Sequence, residues 1–141
     1  MKKFLIKCLT PLELIVQLSD VSSIILPSTN GEMEILPGYK KFVFNLDIAI
    51  LTIRQNNKIT KIFISTGIAD VSDTTCDILV EYAYNLDELN VQEIRKKLQE
   101  LYEYSNHSSS DQLDHLPRIL NVGCLNTNIS FLEKLLKFLG V

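Results

Sequence analysis

With 141 residues, 46% hydrophobic and 22% charged, the chain is long enough to bury a core and too apolar to stay disordered. Its net charge of -3, with acids and bases interspersed, lacks the basic stripe that phosphate neutralisation needs, so nucleic acid is not an expected partner. No run of about 18 apolar residues is available to span a bilayer, and Met1-Lys2-Lys3 leads into an alternating pattern without a small-residue cleavage site, so a cytosolic protein is expected.

Over the first eighty or so residues apolar positions recur with period two in short runs bounded by turn formers, the pattern of half-buried strands. Phe4, Ile6 and Cys8 alternate with Lys3, Lys7 and Thr10 until Pro11 interrupts. A second run, Leu12 to Leu18, ends at Ser19-Asp20, and a third, Val21 to Leu26, is expected to stop at Pro27. Ser28-Thr29-Asn30-Gly31 predicts a hairpin, because Asn and Gly tolerate the positive φ of tight reversals. Phe42 to Leu46, Ile48 to Ile53, Ile59 to Ser65 and Thr74 to Tyr82 follow as strands, with Asn56-Asn57 as a turn and Gly67 as a bulge or a close backbone approach. Many short strands at close intervals favour an all-β sandwich or flattened barrel over a parallel βαβ plan.

The period changes at Asn85. Asn85 followed by Glu88 resembles a capping box, and Val91, Ile94, Leu98 and Leu101 then recur at helical spacing opposite Glu93, Arg95, Lys96 and Glu100. One amphipathic helix of about four to five turns is predicted. After the polar stretch Ser105 to Ser110, Pro117 and Gly123 interrupt a second helix, which is expected only over Ser130 to Leu139, with Leu132, Leu135, Leu136 and Leu139 as its stripe and Ser130 and Glu133 at its start.

Cys8, Cys76 and Cys124 are odd in number and far apart, and fit neither a disulfide framework nor a zinc spacing; they are read as small buried hydrophobes. His107 and His115 have no second ligand at metal spacing. GxSxG, HExxH, a Gly-rich phosphate loop and an activated Cys/His pair are all missing, so no catalytic residue, metal site or cofactor is expected.

The most informative segment is Gly31-Glu32-Met33-Glu34-Ile35-Leu36-Pro37-Gly38-Tyr39-Lys40-Lys41. It resembles the Gly-Glu-(Leu or Met)-Gly-Ile-(Leu or Tyr)-Pro-Gly-His-(Ala)-Pro pattern of the epsilon subunits of F-type ATP synthases, whose mitochondrial counterpart is called delta. Leu46, Ala49, Leu51 and Ile53, then Ser65 to Val71, then Cys76 to Ala83, are similar to further family fragments in the same order, so the resemblance covers residues 1 to about 100.

The resemblance implies an N-terminal antiparallel β-sandwich of about ten strands over residues 1–84, followed by a helical hairpin over residues 85–141. It implies a non-catalytic rotor-stalk subunit coupling rotation of the membrane-embedded c-ring to the gamma subunit in a proton-translocating ATP synthase, peripheral to the cytoplasmic face of the bacterial inner membrane. The ring contact is assigned to Asn30, Gly31, Glu32, Met33 and Glu34, with Glu32 central, and the gamma contact to Pro37, Gly38 and Tyr39. Alpha and beta subunits are possible partners of the helices. A generic β-sandwich adaptor is the alternative.

The sequence also departs from the family. Tyr39 stands for a His, Lys40-Lys41 for Ala-Pro, and Glu34 for a Gly. Period two puts Glu32 and Glu34 on one side of the strand, which predicts an unusually acidic tip and a basic ring loop opposite it. Some family members bind ATP through Leu/Ile-Asp-x-x-Arg-Ala; here Leu86-Asp87 is kept, Asn90 occupies the Arg position, and Arg95 lies five residues on, roughly 140° around a helix. Asp87 and Arg95 are what remains of that motif. Pro117, Gly123 and the few cations of residues 111–141 favour a folded-down tail over a long inhibitory rod.

Overall fold

The computed structural model describes residues 3–106 and 122–140. The chain divides into two compact units, Met1–Leu89 and Asn90–Val141. The first holds nine strands: β1 (Phe4–Leu9), β2 (Leu14–Ser28), β3 (Gly31–Ile35), β4 (Phe42–Leu46), β5 (Ala49–Gln55), β6 (Lys58–Ile64), β7 (Gly67–Val71), β8 (Thr75–Val80) and β9 (Ala83–Asn85). The resemblance had implied about ten.

The strands form a continuous ladder in the order β1-β8-β7-β4-β2-β5-β6-β9, with β3 on β2 and β1 also on β2. All pairings are antiparallel except that of β1 with β8. The ladder folds on itself because β2 serves two layers. Its first half pairs with β1, and its second half is flanked by β3 and β5. The inward faces supply one core, in which Ile6, Cys8, Val71, Cys76 and Ile78 meet Ile24, Leu26, Leu51, Ile53, Ile62 and Ile64. Period two thus marked the core side chains correctly along β1, β5 and β6.

The second and third predicted strands are one, fifteen residues long. Neither stop signal stops it. At Asp20 the backbone enters the left-handed region, φ 56°, and a register shift follows between Val21 and Ser23; strands change sheets at bulges and bends of this kind. Ser22 secures the bend by donating from its hydroxyl to the Arg54 carbonyl, 2.8 Å. Pro27 sits opposite Glu32, next to the closing pair Ser28 and Gly31, so its nitrogen is turned away from β3 and no ladder bond is lost. Its carbonyl, on that far side, accepts from Asp47 N at 2.9 Å. Replacing Asp20 by Val, which tolerates positive φ poorly, should destabilise the sandwich by about 1–2 kcal/mol, with Asp20→Asn near neutral; urea unfolding of the two variants measures it.

Asn85 accepts Asp87 N at 3.0 Å and so caps only a 3-10 turn, Leu86–Glu88. The helix α1 (Val91–Asn106) starts later, on Asn90. The Asn90 side chain accepts from Gln92 N at 3.0 Å and Glu93 N at 3.4 Å, and its carbonyl accepts from Ile94 N at 3.2 Å. The residue that replaces the family arginine is therefore a helix cap. The predicted stripe is correct: Ile94 and Leu101 are buried, Val91 and Leu98 partly so.

The helix α2 runs Val122–Leu139, not Ser130–Leu139. Gly123 falls in its first turn, where a glycine costs less than in the interior, and Ser130 lies mid-helix and exposed rather than at a cap. Ile129 and Phe131 join Leu132 and Leu135 on the buried face. The two helices pack on each other, and Tyr102 donates its hydroxyl to the Glu133 carboxylate between them. Pro117, Arg118, His107 and His115 lie outside the described residues, as does the Cys124 side chain.

Candidate functional site

A two-residue loop, Thr29-Asn30, joins β2 to β3 as predicted. Gly31, at φ 113°, takes a conformation that L side chains rarely adopt. Ser28 is buried under the loop and its hydroxyl accepts from Asn30 N at 3.3 Å, and Thr29 N donates to the Asn45 carbonyl at 3.1 Å. These bonds tie the hairpin to its own stem and to β4. Asn30, Gly31, Glu32 and Glu34 are exposed, whereas Met33 faces inward and packs against the core. Four of the five tip residues are thus available on a fixed turn, and Met33 anchors it.

Alternation puts Glu32 and Glu34 on the outward face, as expected. Their surroundings differ. Ser23 donates its hydroxyl to Glu34 Oε1 at 3.0 Å, and Arg54 Nη1 lies 3.8 Å from the same oxygen. The doubly acidic tip expected from the sequence is therefore partly neutralised. Register information was needed to see this, because residues 23, 34 and 54 come together only when three strands are aligned.

The second segment turns at Gly38, φ 91°, whose N–H donates to the Asp73 carbonyl at 2.8 Å. This holds Pro37-Gly38 against the β7–β8 turn. Tyr39 then leans over β4, its ring centroid 6.0 Å from that of Phe44, which is 4.7 Å from Phe42. Tyr39 and Phe42 are more than one-third exposed above the buried Phe44. An aromatic patch with a polar hydroxyl at its edge suits a protein partner; the pairing of Tyr39 with Phe44 is a feature the sequence reading missed. Asp87 and Arg95 are both exposed, the first in the sandwich unit and the second in the helical unit.

The bonding role of Ser65 was not read from the sequence either. It is buried, its hydroxyl accepts from Glu81 N and Tyr82 N, each at 3.0 Å, and donates to the Thr66 carbonyl. One side chain thus closes the β8–β9 turn. Ser65→Ala removes the acceptor of two amide bonds and should cost about 2 kcal/mol, measurable as a lowered denaturation midpoint with unchanged m-value.

Cys8 and Cys76 are fully buried free thiols on β1 and β8, in keeping with the hydrophobic reading. Burial pushes both thiols from an ordinary 9.0 up to about 12, with Asp77 and Asp70 adding to the effect at Cys76. A raised thiol pKa favours the folded state below pH about 9 and loses that contribution as pH climbs towards 12, because the unfolded chain ionises first. At neutral pH both thiols should resist a disulfide reagent until unfolding releases them, which a titration of native and denatured protein reads directly. Among the described residues no group of three or more His, Cys, Asp or Glu could hold a metal, and no helix is long and apolar enough to cross a membrane.

The family model for the ATP synthase delta/epsilon chain β-sandwich domain matches residues 3–86. An ATP synthase epsilon chain of Synechococcus sp. is 36% identical over 77 residues, 55% of this chain and 57% of that protein. A mitochondrial ATP synthase subunit delta' of Pisum sativum is 31% identical over 93 residues, 65% of this chain and 47% of that protein. The chain therefore spans about half the length of these relatives. An epsilon chain of Prochlorococcus marinus strain AS9601 is 34% identical over 67% of this chain and 70% of its own length. In fold, a chain of the Euglena gracilis mitochondrial ATP synthase superposes with TM-score 0.61 at 24% identity, covering 99% of this chain and 82% of that one. A chain of the Tetrahymena thermophila central stalk and c-ring superposes with TM-score 0.52 at 13% identity, over 96% and 98% of the two. From the match across residues 3–86 and these relatives, the chain belongs to the ATP synthase delta/epsilon family.

Proposed function

We propose that this chain is a non-catalytic central-stalk subunit of a proton-translocating F-type ATP synthase, coupling c-ring rotation to gamma and so to ATP synthesis. The observation that carries the reading is the family match over residues 3–86, which includes both the hairpin tip and the Gly38 turn. The sandwich, residues 1–84, is the docking domain. Its tip, Asn30 to Glu34, meets the polar loops of the c-ring, and Pro37, Gly38 and Tyr39 meet gamma. A rigid turn projecting a carboxylate sets register through complementary charge more than it adds affinity. Residues 85–141 are a weak regulatory arm towards alpha and beta, and the subunit sits peripherally on the cytoplasmic face of a bacterial inner membrane. The identity to mitochondrial delta' subunits favours a second address, the mitochondrial inner membrane, with the same role.

Nucleotide binding at Asp87 and Arg95 is not part of this reading. Asn90 offers no guanidinium for a phosphate and is already engaged as a cap. Affinity-tagged full-length protein, purified from solubilised membranes, should bring down gamma, alpha and beta. Recovery of the tagged chain alone would leave only a sandwich adaptor. Removing residues 105–141 should change ATP hydrolysis by the assembled complex little, and clear activation would make the arm a true inhibitor.

A further inference from the structure

We infer that Glu34 is a positioning residue for the β2–β3 hairpin, which leaves Glu32 as the one carboxylate that the tip presents to a basic partner. The inference rests on the ring-docking reading above and separates two acids that the sequence treats alike.

Among the described residues the strand β3 is an edge strand, bonded to β2 alone. An edge strand has a backbone ladder on one side only, so cross-strand side-chain links add to what holds its position. Glu34 lies opposite Ile25, one diagonal step from Ser23, and Ser23 in turn pairs with Arg54. The carboxylate therefore reaches across the outward surface of β2: Oε1 accepts from the Ser23 hydroxyl at 3.0 Å and lies 3.8 Å from Arg54 Nη1. The link spans three strands. Ser23 is only 4% exposed, so water does not readily replace its bond to Glu34, whereas the Glu34 and Arg54 side chains, half exposed, contribute a screened attraction.

Glu32 has a different environment. It stands opposite Pro27, next to the closing pair of the turn, is exposed, and makes no side-chain hydrogen bond or ion pair among the described residues. A cationic surface approaching the tip meets the full charge of Glu32, and at Glu34 meets a carboxylate already facing a guanidinium. The salt dependence of docking should follow the unpaired charge.

The test uses the full chain as wild type, Glu32→Gln, Glu34→Gln and Glu34→Ala. Binding to gamma and purified c-ring is measured across a sodium chloride series, and native-state hydrogen exchange is read at the β3 amides. Glu32→Gln should flatten the salt dependence and leave β3 exchange as in wild type. Glu34→Ala should speed β3 exchange and weaken binding, each about two- to fivefold, with the wild-type salt slope. Glu34→Gln, whose side-chain oxygen still accepts from Ser23, should restore most of the protection and keep that slope. The inference fails if Glu34→Gln flattens the slope as much as Glu32→Gln, or if Glu34→Ala leaves β3 exchange unchanged. Should wild type bind no ring, the docking reading is lost, and the exchange measurement alone still decides the role of Glu34.

Discussion

Replacing Gly67 by Ala should come close to unfolding the sandwich. A Cβ built at this position falls 2.2 Å from the Leu79 carbonyl oxygen and 2.7 Å from Val80 Cγ1. The carbonyl belongs to the backbone of β8, and Gly67 faces Val80 directly in the β7–β8 ladder, so relief requires the two strands to separate. Overpacking costs about 1–3 kcal/mol where side chains can yield; against backbone we expect about 3 kcal/mol or more. For a domain of this size that corresponds to a midpoint lowered by about 12–24 °C. Thermal unfolding followed by circular dichroism checks it, and a shift of only a degree or two would mean that β7 and β8 adjust freely.

Ile24→Ala should have an effect of similar size by the opposite route, a cavity. Ile24 is fully buried in the centre of β2, opposite Ile35 of β3 and Ile53 of β5. Removing a buried Ile side chain to Cβ typically costs about 2–5 kcal/mol, the larger values applying where surroundings cannot collapse. A strand hydrogen-bonded along this stretch to β3 on one side and β5 on the other leaves little room for collapse. The consequence reaches the hairpin tip, because Ile24 and Ile35 join the hairpin stem to the core. Urea unfolding should show a lowered midpoint with unchanged m-value, and hydrogen exchange should rise first in β3.

The sandwich was legible because its inward side chains obey period two. Phe4, Ile6 and Cys8, then Leu51 and Ile53, then Ile62 and Ile64 are all buried as the pattern requires. What failed were the stop signals. Asp20 and Pro27 are strand breakers by composition, yet an Asp can occupy the left-handed region, and a Pro is harmless where its nitrogen has no ladder partner. Whether either breaks a strand depends on where neighbouring strands lie, which the local sequence does not contain. The same gap explains Glu34. Alternation placed it on the correct face, but its hydroxyl donor and guanidinium neighbour lie 11 and 20 positions away in the chain.

The sequence reading took Asn85 as the helix cap and did not consider Asn90, five residues on, for that role. Both do cap, the first a 3-10 turn and the second α1. Cap chemistry alone cannot rank them, since either side chain satisfies an orphan N–H. The Pro37–Tyr39 segment was visible as a turn from its residues. Its contact with the Asp73 carbonyl and the tilted contact of Tyr39 with Phe44 depend on tertiary approach.

The stalk role is tested most directly by where the two exposed segments lie in the assembled complex. A photo-crosslinking residue in place of Asn30, and separately in place of Tyr39, should be introduced into the full chain within membranes. Both positions are exposed on turns held by backbone bonds, so the substitutions should leave the core intact. The proposal predicts that position 30 forms a covalent product with subunit c and position 39 one with gamma. Products with neither subunit, from a chain shown to be folded, would contradict it.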